Sequence, residues 1–153
     1  MGTTDGRTDD AGGQDGLPFV DEHTILISVP RARVWTALER HRLTAVRLTE
    51  GGLPAKILGT SPPAGFEVAQ SSPPERLILA GRHRFSRYRL VLTLTDTGHG
   101  ETRLSARTYA TFPGARGRVY RALVIGTRLH VLATRRILRS VRRLGTESGQ
   151  GTR

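Results

Sequence analysis

From Gly65 to Phe112 the apolar residues recur at every second position in four short runs, "GFEVAQS", "ERLILAGRHRF", "SRYRLVLTLTD" and "ETRLSARTYATF". Period two is the signature of strands with one buried face. The separators "SPP" and "TGHG" are turn compositions, so consecutive antiparallel pairing follows.

What flanks the meander has a different rhythm. "FVDEHTILISV" (Phe19 to Val29) is β-branched and alternating, and reads as a strand with Ile25, Ile27 and Val29 on one face. Pro30 then opens "PRARVWTALERH", where Val34, Trp35 and Leu38 recur at helical spacing. A second short helical piece is expected around Leu43 to Leu48, and a further strand near "AKILGT", crowded by Pro54 and Gly59. After Pro113 and Gly114 the period becomes helical again in "GRVYRALVIGTRLHVLATRRILRSVRR", Gly117 to Arg143. The expected fold class is α+β: a curved antiparallel sheet wrapped around a long C-terminal helix, with a natural cavity between them.

The stretch "EHTILISVPRARVWTAL", the meander and "FPGARGRVYRALVIGTRLHVLATRRIL" together resemble the START-like, helix-grip superfamily, the SRPBCC group of polyketide cyclases and dehydrases, lipid-transfer proteins and the Bet v 1 type. The resemblance spans Phe19 to Arg143. It implies a helix-grip fold and a hydrophobic small molecule held between the long helix and the sheet, in a group where only some members are enzymes.

On a wheel of about 100° per residue, Val119, Leu123, Gly126, His130, Ala133, Ile137, Val141 and Leu144 share a narrow sector expected to face the sheet. Its middle is Gly126, His130 and Ala133, small or polar where a packed core would present Leu or Ile, as suits a helix lining a cavity. His130 is then a polar handle in an apolar pocket; the commoner fate of a lone histidine is a hydrogen bond to a tyrosine or a backbone carbonyl. On the strands, Tyr88 shares a face with Leu90, Leu92 and Leu94, and Leu77 and Leu79 draw His83 to the inner side. The inward set of the last strand is Leu104, Ala106, Thr108, Ala110 and Phe112. The candidate ligand-binding residues are thus His130, Gly126, Tyr88, His83, Ala133 and Leu92, with ordinary core packing the weightier reading for Tyr88 and His83.

No catalytic residue is assigned. The chain has no G-x-S-x-G elbow, no nucleotide-binding glycine motif and no H-E-x-x-H, and its five histidines lack metal-ligand spacing, so neither a cofactor nor a metal is expected. A non-catalytic binder or carrier of a lipid or polyketide-like compound leads. A cyclase or dehydratase would use the same cavity, running on His130, His83 and Tyr88.

The net charge of +11 is unevenly spread: eleven arginines and no acid lie between Glu101 and Glu147. On the wheel Arg121, Arg128, Arg135, Arg139 and Arg142 form a stripe whose weightier reading is an ordinary solvated face; the alternative is weak, salt-dependent association with an anionic surface or with nucleic acid, without base readout. No aromatic residue interleaves with it, which argues against a specific nucleic-acid partner. Lys56 is the sole lysine, so a compositional bias toward arginine accounts for part of the charge.

Residues 1–16, rich in Gly, Asp and Thr, and residues 145–153 lack the apolar content to fold, leaving a ligand-binding domain over 17–144 between two expected disordered tails. There is no cysteine, no signal pattern and no run of about 18 apolar residues. A cytoplasmic protein without a membrane span is expected.

Overall fold

The computed structural model describes residues 16–49, 66–83, 86–124 and 129–147. Alternating burial makes β1 (Phe19–Ile27) the first strand, with Ile25 and Ile27 turned inward while Thr24 and Leu26 stay exposed. Pro30 ends it and begins helix α1 (Arg31–Thr49): its carbonyl accepts the backbone N–H of Arg33 at 2.9 Å and of Val34 at 3.2 Å. The short helical piece expected near Leu43 is the unbroken end of α1, since no proline or glycine interrupts 31–49. The strand expected near "AKILGT" lies outside the described residues.

Strands β2 (Glu67–Ser72), β3 (Arg76–His83), β4 (Ser86–Gly98) and β5 (Glu101–Thr111) pair as successive antiparallel neighbours. β1 returns to pair with β5, giving the order β1-β5-β4-β3-β2. The register sets Leu77 opposite Leu92, Leu92 opposite Ala106, and Leu94 opposite Leu104. Because facing residues share a side of the sheet, these pairs make one continuous apolar face. Val34, Ala37 and Leu38 of α1 and Leu138 and Val141 of the last helix cover it.

The opposite face carries a smaller cluster of Ile78, Val91 and Tyr109, against which Leu17 packs. The Phe19 ring meets Tyr109 edge-on at 5.8 Å, and the backbone N–H of Ala110 donates to the Pro18 carbonyl at 3.0 Å. Buried Thr102 ties β5 to the end of β1 by donating its hydroxyl to the Val29 carbonyl at 2.8 Å. Between β4 and β5, Gly98 pairs with Glu101, so His99 and Gly100 alone make the turn, at φ of 54° and 73°. Positive φ at both central residues is the type I′ geometry that matches the twist of a hairpin.

After β5 come two described helices, α2 (Gly114–Val124) and α3 (Leu129–Glu147), with 125–128 outside the described residues. The buried stripe of α3 is Thr134, Leu138, Val141 and Gly145, flanked by half-buried Ile137 and Leu144. This corrects the single-wheel reading in two places: Ala133 is exposed, and so is Val119, at 63%. Within α3 the buried stripe is centred one position on from the expected one, at Thr134, and one residue turns a side chain by about 100°. α3 continues three residues past Leu144, and Gly145 sits in the core, where an added Cβ would stand 3.6 Å from Val29 Cγ2 and 3.8 Å from Ala37 Cβ.

A candidate ligand-binding cleft

Val34, Ala37, Leu38 and His41 are spaced three and four apart, so one face of α1 carries three apolar residues and then an imidazole. This face lies over the inner side of β3 and β4. Between this face and the sheet a cleft of about 140 Å³ remains, floored by Leu77, Leu79, Leu90 and Leu92. Leu38 and Ile137 close it from the helices, and Phe66 and Val68 from the start of β2. The polar lining is His41, Arg42 and Glu67. Walls of leucine with a polar margin are the usual make-up of a site for an apolar ligand.

The margin has defined electrostatics. Arg42 donates from Nε at 3.1 Å and from Nη2 at 2.8 Å to Oε2 of Glu39, one turn back on α1, so this charge is compensated before any ligand arrives. His41 has its pKa lowered below the ordinary imidazole value of 6.5 by burial. It is therefore neutral at pH 7, with one ring nitrogen able to donate and the other to accept. Thr108, opposite Leu90 in the sheet register, has a buried hydroxyl oxygen with no hydrogen-bond partner among the described residues. A partnerless buried hydroxyl beside an apolar wall is unusual in a settled core.

The sequence-derived candidates fall into three groups. Leu92 lines the cleft. Tyr88 stands beside it, its ring edge-on to Phe66 at 5.0 Å. Ala133 is not part of it: it is exposed on α3. Gly126 and the side chains of His83 and His130 lie outside the described residues. The histidine at the cleft is His41, which sequence reasoning counted among five scattered ones. Its position seven residues after Val34 and three after Leu38 was the available signal. The inward set of β5 corresponds to what is seen at Leu104, Ala106 and Ala110, all buried. Among the described residues, no three His, Asp or Glu side chains gather as metal ligands, and no helix is long and apolar enough to cross a membrane.

No protein-family model matches the chain, and no curated protein matches it significantly. Solved structures do. A conserved protein of Geobacillus kaustophilus superposes with a TM-score of 0.52 at 15% identity, over 83% of this chain and 95% of the other. A protein of Thermus thermophilus gives 0.51 at 14% identity, over 86% and 99%. One from Rhizobium loti gives 0.51 at 18% identity, over 81% and 96%. The fold is a helix-grip. At these identities the likeness carries the helix-grip architecture alone. The cleft belongs to that architecture in one respect: it forms between the gripping sheet and the helices laid across its inner face.

Proposed function

We propose that this chain binds a hydrophobic small molecule, a lipid or polyketide-like compound, in the cleft between α1, α3 and the inner face of β3 and β4, as a member of the START-like superfamily that its sequence resembles. The observation that carries the reading is the unfilled space over Leu77, Leu79, Leu90 and Leu92 with a neutral imidazole at its margin. A cavity of about 150 Å³ lined by such side chains takes up benzene. At 140 Å³ the cleft suits one ring or a short acyl segment, the rest of a larger ligand extending past Phe66 and Val68. His41 supplies the hydrogen bond that orients the ligand's oxygen.

The test uses Nile red, a neutral probe that brightens in apolar surroundings. Saturable binding is expected, and Val68→Trp is expected to weaken it by about tenfold by filling the mouth from an exposed edge position. Leu79→Phe, from the floor, is expected to do the same. Binding untouched by both substitutions would remove the cleft as the site.

The same imidazole favours a second reading, a cyclase or dehydratase in which neutral His41 removes a proton from the bound compound. Turnover of a polyketide-like substrate that is lost in His41→Gln, with Nile red still bound, would establish it.

A further inference from the structure

Among the described residues, Arg31 pairs with Glu75, Arg42 with Glu39 and Arg107 with Glu22. On helix α3 the arginines are concentrated instead. Arg135, Arg136, Arg139, Arg142 and Arg143 are all exposed along it, and none forms an ion pair with a carboxylate among the described residues. Arg136, Arg139, Arg142 and Arg143 converge on one open groove that no acidic residue lines. The contact made by Arg139, from Nε to the Arg135 carbonyl at 3.3 Å, leaves both charges unneutralised. Guanidinium groups crowded in this way repel one another, and an external row of anions relieves the repulsion.

The occupant is indicated by what stands among the arginines. Leu132 is 57% exposed and precedes Arg135, Arg136 and Arg139 by three, four and seven residues, so it projects from the basic face itself, opposite the stripe of Leu138 and Val141. A large apolar side chain bare to water in a ring of cations has a place beneath lipid headgroups. A phosphate backbone offers it none, and no aromatic ring stands in the groove to stack on bases.

We infer that α3 docks this protein on anionic lipid surfaces, Arg136, Arg139, Arg142 and Arg143 meeting the headgroup phosphates while Leu132 enters the interface. This inference does not depend on what fills the cleft.

Flotation of the full chain with vesicles tests it, using phosphatidylcholine alone or mixed with phosphatidylglycerol. Binding is expected only with phosphatidylglycerol present, weakening steeply as salt is raised. The triple variant Arg136→Gln, Arg139→Gln, Arg143→Gln is expected to lose at least about tenfold in affinity. Leu132→Ser is expected to lose severalfold at unchanged charge. A control variant, Arg82→Gln, Arg87→Gln, Arg103→Gln, removes the same charge from exposed positions on the sheet and is expected to retain binding. Circular dichroism of each variant confirms that it is folded. Equal loss in both triple variants would overturn the inference, since net charge alone would then be acting. So would equal binding to pure phosphatidylcholine, or a short DNA duplex that binds tighter than the vesicles and is indifferent to Leu132→Ser.

Discussion

At the scale of single residues, the imidazole of His41 couples the cleft to pH. Burial lowers its folded-state pKa below 6.5, whereas the unfolded chain titrates at the ordinary value. Below that value the unfolded state binds more protons than the folded one, so stability falls as pH drops toward the folded pKa. Above it both states are neutral and the contribution is complete. Wild type is therefore expected to lose melting temperature on acidification below about pH 6.5 more steeply than His41→Gln, the two curves running parallel above it. Arg42 and Glu67 line the same cleft, but Arg42 is already held by Glu39. Thr108 makes a second test. Its buried hydroxyl has no partner among the described residues, so Thr108→Val is expected to leave stability unchanged or raise it by up to about 1 kcal/mol in denaturant titration. A loss of about 1 kcal/mol or more would mean that the hydroxyl has a partner.

The elements show how far a pattern can be read. All four meander strands and β1 were legible because period two is self-checking: a slip of one residue puts Leu90, Leu92 and Leu94 in water, and nothing in the chain tolerates that. The helical face was legible at Ile137, Val141 and Leu144 but not at Val119 or Ala133, since a 3.6-residue period carries no such check: the buried stripe of α3 is centred on Thr134, Leu138, Val141 and Gly145, which leaves Ala133 beyond its margin. His41 escaped notice for a related reason: on a helix, a polar residue at the end of an apolar face looks like the start of the solvent side. The β4–β5 turn was announced by its glycines, yet the position between them holds a histidine with φ of 54°. Asn-Gly is the preferred pair for that geometry. His99→Asn is expected to add about 0.5 kcal/mol of stability, read as a shift of the urea midpoint without a change of slope.

For the whole molecule, composition sets the expected boundary between tail and domain after Gly16, and Leu17 is the first described residue that packs against a core cluster. The preceding residues are too polar to bury apolar surface, whereas Leu17 and Phe19 cover the cluster of Ile78, Val91 and Tyr109. Deleting residues 1–16 is expected to change stability by less than about 0.5 kcal/mol, and deleting 1–19 to remove about 1 to 3 kcal/mol along with the Ala110–Pro18 hydrogen bond. Thermal unfolding of the two truncations checks this; equal losses would place the boundary earlier. The pairing of β1 with β5 has a consequence in time. β1 is made more than seventy residues before β5, its partner among the described strands. At about 5 to 20 residues per second, a nascent β1 spends seconds with an unpaired edge and Ile25, Ile27 and Val29 uncovered. The sheet closes last at the edge that was synthesised first, so the growing chain is most open to wrong partners while it is still attached to the ribosome.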